Sequence, residues 1–141
     1  VNDKLAYPGY FAMIPTGPDP NPTLTEDFFA LAAQQNPRPA TVALLSADAL
    51  FAKHPIAGAK ANAEKYGFKV VYEAAYPLAT EDFTKAIDDV ANSHCDLLFL
   101  CSYLDDSVGF VRALRASAFR PGMVGAMRHS RPTRARRASI P

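Results

Sequence analysis

The sequence predicts an α/β protein built on a parallel, doubly wound (Rossmann-like) sheet. Three observations predict it. Apolar runs of strand length stand at 41–46, 68–73 and 96–101. The runs at 41–46 and 96–101 are apolar without alternation, as in strands buried on both faces. Between the runs the apolar spacing lengthens to the period of a helix. Alternation of this kind gives a parallel sheet with right-handed crossovers. A chain of 141 residues, 49% hydrophobic and 21% charged, fits one soluble-type domain, and it holds no apolar run long enough to span a bilayer.

Taken in order, residues 1–10 are polar, with Pro8-Gly9 as a turn signal, and Tyr10–Ile14 reads as a short strand. Thr16–Pro22 carries three prolines and a glycine and reads as an irregular loop. Thr23-Leu-Thr-Glu26 has capping-box spacing, so a helix is expected from Thr23, burying Phe28, Leu31 and Ala32. Pro37-Arg-Pro39 reads as a hinge or linker. After the strand at 41–46, a helix is expected over about 50–66. Pro55 would move its start toward His54; Ala57, Ala61 and Tyr66 would face the sheet, and Gly67 would end it. After the strand at 68–73, Thr80 is the expected cap of a helix with the stripe Phe83, Ala86, Ile87, Val90 and Ala91. After the strand at 96–101 comes a polar break, then Val108, Val111 and Leu114 as a helical stripe, with Arg112 and Arg115 turned away. Pro121-Gly122 turns the chain into a last strand, Met123–Met127.

Charge is uneven. Five of the 15 Lys and Arg residues lie at 128, 131, 134, 136 and 137, which leaves 10 against 14 acidic residues, a net −4, in 1–127. The segment 128–141 has no apolar period and is expected to be a disordered basic tail. It has three readings: a basic arm for nucleic acid, for which stacking aromatics are lacking; a basophilic kinase site at Arg136-Arg-Ala-Ser139; or an out-of-frame continuation of a GC-rich gene.

Several chemistries find no support in the motifs. There is no GxGxxG after a strand, no GxxxxGK[ST] and no GxSxG elbow. His54, His94 and His129 are too scattered for zinc, and Cys95 and Cys101 have no metal spacing. Six strand residues span roughly 20 Å, so those cysteines cannot pair with each other; they read as small buried hydrophobes. His94-Cys95-Asp96 cannot converge, because neighbouring strand residues point to opposite faces. No cofactor and no metal are expected.

What remains is the carboxyl ends of the strands, where open α/β sheets hold their ligands. Ser46 and Asp48 follow one strand, with Phe51 close behind; Tyr76 and Thr80 follow the next; Ser102, Tyr103, Asp105 and Asp106 follow the third. Each has a second reading, as a loop start, a cap or a complement to a helix dipole. Two aspartates at a helix N-terminus reverse its usual attraction for anions and favour an ammonium or amide donor.

Ala40–Phe51, Gly58–Gly67, Tyr76-Pro with Asp82-Phe83, and Cys101–Arg112 together resemble the type I periplasmic solute-binding proteins, and more narrowly the branched-chain amino-acid-binding (Leu/Ile/Val-binding-like) family of ABC importers. The resemblance covers about 10–127. It implies a partial chain: 1–37 as a remnant of the first lobe (strand plus helix), 38–127 as most of the second α/β lobe of the type I fold, and 128–141 as a departure from the family, which favours the out-of-frame reading of the tail. It also implies a two-lobed receptor in the periplasm that closes on a small-molecule ligand about a hinge at Pro37–Pro39 and delivers it to ABC permease subunits. By resemblance, Phe51 is the aromatic wall and Asp106 pairs with an amino-acid ammonium, while Ser102 and Tyr103 offer hydrogen bonds. Ser46 and Asp48 complete the candidate ligand-binding set. A ligand-sensing domain of a receptor or transcription regulator of the same fold is the alternative, and a Rossmann-like enzyme a further one. With the strand at 10–14 short of neighbours, self-association of the lobe is expected. No nucleic-acid partner is expected.

Overall fold

The computed structural model describes residues 20–129. The expected strand at 10–14 and residues 130–141 of the tail lie outside that range. In chain order the elements are α1 (Pro20–Thr23), α2 (Glu26–Ala33), β1 (Thr41–Ala47), α3 (Leu50–Lys65), β2 (Lys69–Tyr76), α4 (Thr84–Asn92), β3 (Leu97–Tyr103), α5 (Leu104–Ala116) and β4 (Met123–His129). The four strands form one sheet in the order β2-β1-β3-β4, every pair parallel. The fold is thus the expected α/β class, built on a parallel sheet with helices on both faces. Among the described residues no helix is long and apolar enough to cross a membrane.

The two central strands explain the apolar runs. Val42–Leu45 and Leu97–Cys101 are buried without a break, because helices cover both faces. One face packs Val42, Leu44, Leu97 and Phe99 against α2 and α3; the other packs Ala43, Leu45, Leu98 and Leu100 against α4 and α5. β4 runs through Arg128 and His129, two residues into the segment expected to be disordered.

Helix ends and phases differ from expectation, each for a local reason. The capping box at Thr23 does not form. Pro20–Thr23 makes its own helical turn, and Glu26 instead accepts from Lys65 Nζ at 2.6 Å and Tyr66 Oη at 3.3 Å. A charge-assisted bond to an ammonium competes well against a backbone amide. In α2 the buried residues are Phe28, Phe29 and Ala32, while Leu31 is 54% exposed. Helix α3 starts at Leu50 and keeps Pro55 inside it. It buries Ala52, Gly58, Ala59, Asn62 and Ala63, whereas Ala57 and Ala61 face solvent. Its end is as expected: Gly67 at φ 75 closes a Schellman pattern, Phe68 N to Ala63 O at 2.8 Å and Gly67 N to Glu64 O at 3.0 Å. Thr80 caps no helix; its hydroxyl donates to Pro77 O, and Asp82 accepts the Thr84 amide at 2.8 Å where α4 begins.

Packing runs across the division expected at 37/38. Phe28 and Phe29 of α2 sit in one core with Phe99 and Phe68, at ring-centroid distances of 5.5 and 5.9 Å. The Pro37–Pro39 connector is held at its middle and just after it: Arg38 donates to Tyr66 O, and the Ala40 and Thr41 amides donate to Asp96 Oδ2 at 2.7 and 3.0 Å. Helix α1 is seated on α3 at Gly58, where a Cβ would lie 2.0 Å from Asn21 O. Beside it Asn62 Nδ2 donates to Pro22 O and Thr25 Oγ1.

Candidate functional site

Strands β1 and β3 are neighbours, yet their following helices leave on opposite faces, α3 on the α2 side and α5 on the α4 side. That divergence opens a crevice at the carboxyl ends of the two strands, the topological switch point of the sheet. Two helix N-termini, Leu50 and Leu104, border it.

Phe51 and Tyr103 meet across this crevice, ring centroids 4.7 Å apart and tilted by 54°. Phe51 comes from the first turn of α3 and touches both cores; Tyr103 is the last residue of β3. Leu50 beside them is 77% exposed. The rim is therefore apolar and aromatic.

Behind the rim the polar groups are buried and engaged. Ser102 is fully buried, its hydroxyl 2.5 Å from Ser107 Oγ, and Ser107 Oγ donates to Tyr103 O at 3.1 Å. This turns Ser102 toward α5. Asp106 is also buried, at 4% exposure, and Tyr76 Oη donates to its Oδ2 at 3.4 Å. Burial, and then the charge of Asp106, push the Tyr76 phenol well above its ordinary range, so it stays protonated and remains a donor. Ser107 was missed in the sequence; its only signal was a hydroxyl one helical turn into α5, facing the strand end.

The six expected site residues do not converge on one cavity. Phe51 and Tyr103 meet at the switch point, with Ser102 next to Tyr103 on β3. Ser46 and Asp48 instead line a groove of about 340 Å³ between α3 and β2, with Lys53, Lys60 and Glu73. There the Asp48 amide donates to Tyr76 O at 2.8 Å, tying the loop to the neighbouring strand. Asp106 lines a separate groove of about 350 Å³ with Thr80, Glu81, Phe83, Asp105 and Gly109.

Other chemistry-bearing residues are accounted for structurally. Asp96 accepts the Ala40 amide and, at the Thr41 residue, both amide and hydroxyl; these bonds hold its carboxyl below the usual range. Cys95 and Cys101 are free and buried, and burial raises the Cys101 thiol to about 12. Among the described residues no group of three or more His, Cys, Asp or Glu side chains could hold a metal ion.

Comparison with known proteins adds the family. A family model described as periplasmic binding protein matches residues 2–131. A solute-binding protein of an ABC transporter from Rhodopseudomonas palustris HaA2, solved with p-hydroxybenzoic acid, is 26% identical with a TM-score of 0.66, over 77% of this chain and 29% of that one. Another from R. palustris, solved with 4-hydroxybenzoate, is 26% identical with a TM-score of 0.58, over 65% of this chain and 25% of that one. A branched-chain amino-acid ABC transporter periplasmic ligand-binding protein from Burkholderia xenovorans LB400 shares the fold at 18% identity and a TM-score of 0.62, over 76% and 28%. The chain thus spans between a quarter and three tenths of the length of these structures. No curated protein matches it. With nearly its whole length matched by one family model and its sheet topology shared with solved members, the chain belongs to the periplasmic binding proteins.

Proposed function

We propose that the chain supplies one wall of the ligand cleft of an ABC importer's solute-binding protein, acting in the periplasm. The ligand proposed is a branched-chain amino acid or a related small molecule, and the permease subunits of the importer are the protein partner. The observation that carries the reading is the Phe51–Tyr103 ring pair at the switch point. The rings offer an apolar wall, and Asp106 a charge-assisted contact for an ammonium, worth roughly 1.5–3 kcal/mol. Tyr76 holds the carboxylate from below. The opposite wall belongs to a second lobe that closes by a hinge motion. The named ligands of the similar structures, an aromatic acid and branched-chain amino acids, both pair an apolar body with a charged end.

Titration of the isotope-labelled chain with leucine, isoleucine, valine and 4-hydroxybenzoate tests this by amide chemical shifts. The expected result is shifts centred on residues 46–51 and 102–107, with a Kd of about 1 mM or weaker, near 4 kcal/mol of binding, because one wall acts alone. A well-dispersed spectrum unmoved at those amides by every ligand rules the proposal out.

A further inference from the structure

Helix α5 has two apolar stripes, and the sheet uses one of them. Phe110, Ala113 and Leu114 pack into the core shared with α4, together with buried Asp106. This reverses the expectation that Val108 and Val111 face inward. The cause is Gly109, which lets the Phe83 ring come within 3.1 Å of where a Cβ would stand and so sets the helix's rotation. Leu104, Val108 and Val111, spaced i, i+4, i+7, are left 42%, 44% and 38% exposed. Single exposed apolar residues need no explanation, but three in line on one helix face form a patch. Asp105 and Arg112 flank this stripe on one side, seven residues apart and both exposed. No ion pair among the described residues engages either of them.

We propose that this face docks the same face of a second copy of the chain, with the two α5 helices antiparallel about a two-fold axis. Charge selects both the occupant and the direction. In heptad terms Leu104 and Val111 take d positions, Val108 and Arg115 take a positions, and Asp105 and Arg112 both take e positions. Antiparallel helices bring e against e, so Asp105 of each copy meets Arg112 of the other, twice in an isologous interface. Parallel helices would set these charges against Ser107 and Leu114 and align the two helix dipoles unfavourably. The valines form the central layers, and the Arg115 stem covers Leu104 at each end. The surface is small for a protein interface, so the dimer is weak, with a Kd on the order of 0.1 mM.

Sedimentation equilibrium on the 141-residue chain, from about 10 µM to 1 mM, tests this. The expected result is a monomer–dimer equilibrium that Val108→Glu abolishes. Asp105→Arg and Arg112→Asp each weaken it about fivefold or more, since each substitution disturbs two symmetric pairs, and the charge-swapped double variant recovers it. All three positions are exposed, and circular dichroism confirms that the variants are folded. A wild-type chain that stays monomeric at the highest concentration overturns the proposal. So does association untouched by Val108→Glu, which would locate the contact at an open strand edge instead, or a double variant no tighter than the singles.

Discussion

On the α2/α3 face of the sheet, Phe28, Phe29, Phe68 and Phe99 form a ring cluster with centroids 5.1 to 6.2 Å apart. On the α4/α5 face a second aromatic row, Tyr76–Phe83–Phe110, has spacings of 5.2 and 5.7 Å. The rows are alike in ring spacing and differ in what they lead to. The first is apolar throughout and seats α2. The second begins at a phenol that donates to buried Asp106 and lies beside buried Ser102. One face holds the lobe together; the other carries polar groups up to the crevice, each of them engaged by a neighbour. A buried polar group is tolerable only when it is bonded, so the second face gives up some packing freedom for chemistry at its upper end.

Substitutions can break or sharpen that contrast. Phe29 is fully buried, and Phe29→Ala should lower unfolding stability by about 3–5 kcal/mol, read from urea denaturation. An intermediate effect belongs to the lower end of the sheet, where Asp96 joins β3 to the start of β1. Its carboxyl is held below the ordinary aspartate range, chiefly by the Ala40 amide bond. Its contribution is therefore present above the unfolded pKa and is lost as pH falls through the folded one. Thermal melts taken from pH 6 down to pH 3 should show a steeper acid loss for the wild type than for Asp96→Asn; parallel curves would remove Asp96 from the account. The smallest effect is expected for Tyr76→Phe, about 0.5–1 kcal/mol, because its hydroxyl bond to Asp106 is long. Should Tyr76→Phe cost as much as Phe29→Ala, the division into a holding face and a polar face fails.

The strands were legible because their signal is local. Val42–Leu45 and Leu97–Cys101 are runs that only a two-sided burial explains. Gly67 was legible for the same reason, since a left-handed C′ position needs no distant partner. Helix phases were not. Alanines at 52, 57, 59, 61 and 63 surround α3, so apolar spacing cannot tell the faces apart, and the seating of α1 at Gly58 decides which turn inward. In α5 a buried Asp106 outranked two valines because the approach of Phe83 at Gly109 fixed the rotation. At the site, Phe51, Ser102 and Tyr103 came together at one switch point, while Asp106 turned toward Tyr76 and a separate groove. Ser46 and Asp48 turned to another groove, since they lie on the strand and loop facing β2. The partnership of Tyr76 with Asp106 joins residues 30 apart in sequence, which no spacing rule reports.

The two buried cysteines have a practical consequence. Both thiols are enclosed, and Cys101 is raised to about 12, so neither forms an appreciable thiolate near neutral pH. The native chain is thus a silent background for thiol-directed probes. A cysteine placed at Leu50, on the crevice rim, would take a fluorophore or spin label selectively, with both native cysteines left in place. Movement at the mouth of the cleft could then be followed in an otherwise unaltered protein.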